Sequence, residues 1–176
     1  MSTVFPILRV TEANANPSLC VPCGGRCCKR TPGNMFPADL DPELNPNTLA
    51  DKLIEMLLSG RWKLDSWAGD VPWAEPGDDS VGYFIRPRVD LGERYDHYVE
   101  PSWHDVMNMG RCNFHSDDKG CELSEEQRPS DCKSLIPREG GCQQPEGWEG
   151  KLTAVKQWWP FRQLLQDIRD LDPYYD

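Results

Sequence analysis

The sequence lacks several features that would assign it to a familiar class. It has no run of 18 or more apolar residues, so we expect no segment to span a membrane. The first ten residues have neither a basic start nor a small-residue cleavage site, so no secretory signal is predicted. A glycine-rich phosphate loop, a serine elbow and a His-Glu-x-x-His motif are also absent. Without an export signal, the expected compartment is a reducing, cytoplasmic one.

Positive charge is scarce. Lysine and arginine number 19 against 29 aspartates and glutamates, which gives a formal net charge of −10. This balance argues against non-specific nucleic-acid binding and against an anionic membrane surface, because both need excess basic charge. The expected partners are therefore a metal and, beyond it, another protein.

Proline and glycine are abundant, at 16 and 14 residues. Together with a mean hydropathy of −0.66, they predict many loops and a modest core. The length suits a single domain over residues 1–176. We expect a small, metal-stabilised α+β fold with a short antiparallel hairpin and a few helices.

The clearest predicted element is a helix from Thr48 to Ser59. Asn47 or Thr48 can cap its start and Gly60 ends it. Its apolar residues recur at helical spacing and predict a core-facing stripe. This stripe consists of Leu49, Leu53, Ile54, Leu57 and Leu58.

Alternating and β-branched patterns predict strands on either side of a loop over 68–80. The two strands cover residues 61–67 and 81–87. A shorter apolar stretch, Val4–Val10, is a candidate edge strand. The tail over 151–172 is predicted to be helical, with Pro160 kinking it or starting a second helix, and its apolar face to dock on the core.

Half of the cysteines stand within nine residues, Cys20-Val-Pro-Cys23-Gly-Gly-Arg-Cys27-Cys28. Proline and glycine predict a loop here. Cys20 and Cys23 can turn toward one metal ion at about 2.3 Å per sulfur. In an extended backbone Cys27 and Cys28 would point to opposite faces. They would then serve two sites or bracket one polynuclear centre.

The other cysteines are Cys112, Cys121, Cys132 and Cys142. A tight turn over 117–120 is predicted between two short strands that each offer one thiol. Three histidines, His97, His104 and His115, are possible additional ligands. A Ca²⁺ site of Asp117, Asp118 and Glu122 is disfavoured, because the twelve-residue ligand pattern is missing.

Eight cysteines in a reducing compartment indicate metal binding more than disulfides. Their density among 176 residues is below that of disulfide scaffolds. Four disulfides and free thiols are the alternatives. Four thiolates suit a tetrahedral Zn²⁺ or an iron–sulfur cluster, so both cofactors stay open. We predict that the two cysteine sets form one assembly in which each metal centre takes ligands from both, so that binding becomes folding energy.

The cysteine pattern resembles that of the CxxCxxCC family, whose members are described as zinc- or iron-chelating domains with eight cysteines. A dense cluster is followed by Cys…Gly-Cys and then by Arg-Pro-x-x-Cys, although three residues rather than two separate Cys23 from Cys27 here. A Pro-x-Asp-Leu segment of the family corresponds to residues 37–40. The resemblance spans residues 20–142 and implies metal binding without supplying a reaction. The matching positions are Cys20, Cys23, Cys27, Cys28, Cys112, Phe114, Gly120, Cys121, Arg128, Pro129, Cys132 and Cys142.

These observations predict a cysteine-cluster metal-binding protein. All eight cysteines would hold an iron–sulfur cluster, such as 4Fe–4S, or zinc, and the protein would act as an accessory, sensor or redox factor. One alternative is a metal-dependent enzyme that uses a nearby histidine, and another is a structural zinc fold for protein–protein interaction. The sequence assigns no catalytic residue.

Overall fold

Helices and short antiparallel strand pairs make up the protein, which confirms the α+β class. The computed structural model describes residues 5–30, 32–67, 70–75, 81–90, 110–118 and 120–169. Its helices are α1 (Pro17–Cys23), α2 (Arg26–Arg30), α3 (Pro37–Leu40), α4 (Pro46–Leu58), α5 (Ser130–Lys133), α6 (Lys151–Trp158) and α7 (Arg162–Arg169). Its strands are β1 (Trp62–Trp67), β2 (Gly82–Pro87), β3 (Val89–Asp90), β4 (Arg111–Cys112), β5 (His115–Ser116) and β6 (Gly120–Cys121).

The β1–β2 hairpin confirms the two strands expected from the sequence. Its antiparallel register runs from Trp62 opposite Pro87 to Trp67 opposite Gly82. All of β2 is buried, because β1 pairs with it, α6 packs on it and Met35 bridges to Ile85. A Cβ on Gly82 would lie 2.6 Å from a methyl of Val155, so glycine permits the close approach of α6.

Helix α4 confirms the strongest helical prediction, with an earlier start. Asn45 caps it by accepting hydrogen bonds from the backbone N–H groups of Asn47 and Thr48. Leu49, Leu53 and Leu57 are buried, but Ile54 is 38 % exposed and Leu58 is 65 % exposed. The predicted apolar stripe is therefore too wide, because only the residues at i, i+4 and i+8 reach the core.

The tail docks on the core, as predicted. Pro160 lies in a 3₁₀ turn, Trp159–Phe161, which separates α6 from α7. Trp158, Leu165 and Ile168 are buried, and the indole N–H of Trp158 donates to the carbonyl oxygen of Met35 at 2.7 Å. The predicted segment 151–172 extends beyond the described residues, which reach 169.

The N-terminal segment is not the edge strand that was expected over Val4–Val10. Residues 5–10 are irregular. The Leu8 N–H donates to the side chain of Gln157, and the Val10 N–H donates to the hydroxyl of Ser130. Side chains thus take the backbone donors that a strand ladder would use. In the part of the chain that the structure describes, no helix combines the length and the apolar character needed to cross a bilayer.

Candidate metal centre

The first four cysteines lie on two short helices, and the predicted loop is wrong. Cys20 and Cys23 belong to α1, whose first turn is capped by the side chain of Asn16. Gly24 and Gly25 have φ values of +60° and +72° and form the link to α2. Side chains rarely adopt this left-handed conformation, so the glycine pair allows the helices to follow each other so closely.

Cys27 and Cys28 stand together on α2 and do not diverge as an extended backbone would require. Their sulfurs are 3.9 Å apart. Two thiolates on one tetrahedral ion at about 2.3 Å would stand about 3.8 Å apart. A hydrogen bond from the Cys28 thiol lowers the pKa of Cys27 to about 6. The same bond, together with burial, raises the pKa of Cys28.

The later cysteines come from four different local structures. Cys112 lies in β4, opposite Val89 of β3, and Cys121 lies in β6, opposite His115 of β5. Cys132 is in α5, and Cys142 is exposed beside the bridge between Ile136 and Gln143. Residues 117 and 118 form a turn after β5, and β5 pairs with β6, but only Cys121 of the two thiols lies in that strand pair.

The carboxylate of Asp39 forms hydrogen bonds to the start of α5, the helix that carries Cys132. Asp39 accepts hydrogen bonds from the Ser130 N–H at 2.9 Å and from the Ser130 hydroxyl at 2.5 Å. It also accepts one from the N–H of Phe36 at 2.9 Å. The Pro-x-Asp-Leu segment is thereby joined to the Arg-Pro-x-x-Cys segment. Sequence reasoning noted both segments but missed that Asp39 connects them.

Contacts of Asp131 and Gly33 also hold the same helix against the segment that follows α2. The buried Asp131 carboxylate accepts the N–H of Asn34 at 2.9 Å and its side-chain amide at 2.6 Å. A Cβ on Gly33 would lie 2.5 Å from the sulfur of Cys132 and 2.8 Å from its nitrogen. The segment after α2 therefore lies directly against Cys132, and only glycine fits at position 33.

The two cysteine sets meet around one partly open cavity of about 150 Å³. Helix α2 packs on β4, which brings Cys28 toward the hydrophobic core that contains Cys112. Six of the eight cysteines line the cavity: Cys20, Cys27, Cys28, Cys121, Cys132 and Cys142. The structure thus brings together the two cysteine sets, which are distant in sequence. That they share a metal stays a prediction.

In contrast to Cys27, three further thiols have a raised pKa and so resist losing their protons. Burial raises the pKa of Cys112, and negative charge on Cys121 adds to the shift. Burial and then the charge of Asp131 raise the pKa of Cys132. Desolvation, followed by charge on Cys27, Cys23 and Cys20, raises the pKa of Cys142. A soft cation would offset this repulsion and favour the thiolates, so the donor set fits zinc or iron–sulfur.

The thiols are near one another without already enclosing an ion. All eight cysteines are free of disulfides. Within the described ranges, no group of three or more His, Cys, Asp or Glu side chains is placed so that it could hold a metal. A change of one staggered rotamer moves a cysteine sulfur by about 3 Å. Metal binding would therefore require such rotations around the cavity.

Of the histidines proposed as ligands, His115 is close to the first set and the other two, His97 and His104, lie outside the described residues. His115 is buried, and its Nε2 is 3.3 Å from the Gly24 carbonyl oxygen. Within the described part of the chain, its Nδ1 has no hydrogen-bond partner. A Cβ on Gly25 would lie 2.8 Å from Nε2, so this glycine makes room for the ring.

Two of the three carboxylates considered for Ca²⁺, Asp117 and Glu122, are engaged with basic side chains. Asp117 pairs with Lys29 at 3.4 Å and with Arg111 at 3.0 Å, and hydrogen bonding from Lys29 is the main cause of its lowered pKa. Glu122 pairs with Arg61 at 2.7 Å. These ion pairs connect α2, β4 and the β5–β6 hairpin around the cysteines.

No family model, curated protein or solved structure matches this chain. The resemblance to the CxxCxxCC family therefore stays a prediction that rests on the cysteine motifs.

Proposed function

We propose that this chain is a cytoplasmic cysteine-cluster metal-binding protein. Its eight cysteines hold an iron–sulfur cluster or zinc, and it acts as an accessory, sensor or redox factor. The observation that carries the proposal is the shared cavity, since six thiols from both sequence sets line it. The absence of disulfides among all eight cysteines also supports it.

The protein's own residues have defined tasks in this proposal. The thiols bind the metal, while Asp39, Asp131 and Gly33 position Cys132 through the contacts to α5. His115 is the described histidine that stays a candidate additional ligand, because its buried Nδ1 has no hydrogen-bond partner among the described residues. A bound iron–sulfur cluster would supply one-electron transfer, whereas zinc would supply a redox-inert cross-link.

Anaerobic purification followed by metal and sulfide analysis tests the proposal. Brown protein with iron and acid-labile sulfide identifies an iron–sulfur protein, and colourless protein with zinc identifies the structural or sensor form. Cys132→Ser should lower the metal content, whereas the control Val21→Ser should not, because Val21 is 78 % exposed on α1. Metal-free protein whose mass is lowered by the hydrogens lost in four disulfides would refute the proposal.

A further inference from the structure

One wall of the cavity that the two cysteine sets share is a surface loop, residues 137–142. The loop lies between Ile136 and Gln143, whose backbones exchange two hydrogen bonds of 2.8 and 2.9 Å. Pro137 and Cys142 of the loop line the cavity. Apart from the half-buried Pro137, every residue of the loop is exposed. The loop is therefore tied at its base and open to solvent along the rest of its length.

Other walls of the same cavity are held in place by direct contacts. The backbone N–H of Asn14 donates to the carbonyl oxygen of Lys133 at 3.0 Å, and its side-chain amide donates to the carbonyl oxygen of Ser134 at 3.0 Å. Gly33 lies directly against Cys132. These contacts join the segment before α1 and the segment after α2 to α5 and the residue that follows it.

The 137–142 loop has no comparable attachment. Among the described residues, no hydrogen bond joins it to α1 or α2, and its internal backbone bond runs from the Gly141 N–H to the carbonyl oxygen of Arg138 at 3.2 Å. Gly140 and Gly141 have φ values of +88° and +149°. A Cβ at either position would meet no neighbouring atom within 4 Å. The glycine pair thus stands free of the rest of the protein and suits a hinge, because glycine tolerates large changes of φ and ψ.

Open space lies on both sides of the loop. A cleft of about 310 Å³ lies between the loop and α1, where Leu19 and Pro22 line it. A second cleft of about 440 Å³ lies between the loop and a wall that includes Gly33 and Leu135. The segment 140–142 lines both clefts. The loop can therefore move to either side without displacing the packed core.

We propose that the 137–142 loop is a gate over the shared cysteine cavity. It turns at the bridge between Ile136 and Gln143 and at the glycine pair, and it moves into the flanking clefts to admit a metal. When metal is bound, the thiolate of Cys142 holds the loop closed. This inference rests on the proposed function and adds to it the route by which metal enters and leaves.

Limited trypsin digestion of the purified metal-containing protein tests the gate. Arg138 is an exposed cleavage site in the loop, and Lys29 is an exposed site on α2. In Cys142→Ser, cleavage after Arg138 should be about tenfold faster than in the wild type, because an untied loop is open to the protease more often. Cleavage after Lys29 should not change. Val21→Ser is the matched control, since Val21 is 78 % exposed on α1, and it should be cleaved like the wild type.

Hydrogen exchange of the wild-type metal-containing protein makes the test independent of any variant. The probes are EDTA for zinc and bathophenanthroline for iron, with the metal still bound measured at each time point. After the chelator is added, we expect the amides of residues 138–142 to begin exchanging before those of residues 130–133 in α5. The loop must open for the metal to leave, whereas α5 loosens only after the metal has gone.

The outcomes separate the gate from the metal site itself. The gate would be overturned, with the proposed function left standing, by equal cleavage after Arg138 in wild type and Cys142→Ser. Equal acceleration after Lys29 in a Cys142→Ser protein with a folded circular dichroism spectrum would overturn it as well, and so would simultaneous exchange of the two segments. A wild-type protein that carries no metal would overturn both proposals.

Discussion

Asp39 is a single side chain that joins the segment following the first cysteine set to the helix that carries Cys132. Its carboxylate accepts hydrogen bonds from the Phe36 N–H, the Ser130 N–H and the Ser130 hydroxyl. Asp39→Ala removes all three and leaves two backbone donors and a hydroxyl without this acceptor. Ser130 is fully buried, so water does not readily replace the lost carboxylate there.

The expected loss of stability follows from these three bonds. A hydrogen bond to a charged group contributes about 1.5–3 kcal/mol, and a neutral one contributes about 1 kcal/mol. Because Asp39 is itself half-buried, we take about 1–1.5 kcal/mol for each of the three bonds and expect Asp39→Ala to lower the free energy of unfolding by about 3–4.5 kcal/mol. Asp39→Asn keeps one carbonyl acceptor, so its loss should be smaller. Both variants should also retain less metal, because the position of Cys132 is no longer fixed.

Urea denaturation at one fixed concentration of free metal measures this loss, since bound metal contributes to the apparent stability. Asp51→Ala is the matched control, because Asp51 is an exposed aspartate on α4, and a surface change of this kind usually shifts stability by less than about 0.5 kcal/mol. If Asp39→Ala unfolded at the same urea concentration as the control and kept its full metal content, the claim that Asp39 holds α5 in position would be refuted.

Three further predictions concern the metal, the close approach at Gly33 and an exposed ion pair. Removing the metal should unfold much of residues 20–142, because metal binding and folding are coupled. An unchanged circular dichroism spectrum and an unchanged melting temperature, in protein shown to be free of metal, would contradict this. Gly33→Ala should cost about 1–3 kcal/mol and lower metal content, since its Cβ would lie 2.5 Å from the Cys132 sulfur. Gly120→Ala is the comparison variant in thermal melts and metal assays. A Cβ at position 120 would meet no neighbour within 4 Å, so this variant should strain the backbone at φ +71° but retain metal. Equal metal loss in the Gly33 and Gly120 variants would count against the steric argument. The lowered pKa of Asp117 contributes stability above its unfolded pKa that is lost as pH falls through its folded pKa. Unfolding of Asp117→Asn should therefore depend less on pH in that acidic window than unfolding of the wild type, and identical acid profiles would refute the linkage.

Local signals in the sequence predicted the hairpin and α4 well. Alternation marked β1 and β2, and the polar residues before Leu49 marked a helix start. The helix α1 was missed although Asn16-Pro17 is a recognisable cap followed by proline at the first helical position. Pro22 and the glycine pair gave a stronger turn signal than the cap did. The structure places these glycines at the link between two helices.

The grouping of the cysteines could not be predicted from spacing. Whether Cys28 faces Cys27 or Cys112 depends on the packing of α2 on β4, which is a contact between residues far apart in the chain. The role of Asp39 depends in the same way on Ser130, a partner that is far from it in the sequence. Sequence periodicity describes one element at a time and carries no information on such pairings.

The order in which the cysteines are synthesised has a consequence for how the site is filled in the cell. Both Cys20 and Cys142 line the cavity that the two cysteine sets share, and the backbone N–H of Asn14, just before α1, donates to the carbonyl oxygen of Lys133. The first four thiols leave the ribosome long before their later partners, by roughly ten seconds at about 5–20 residues per second. During that interval they are unprotected nucleophiles on a growing chain. A reducing environment would keep them available until Cys142 arrives, and a metal donor would then act on the finished chain.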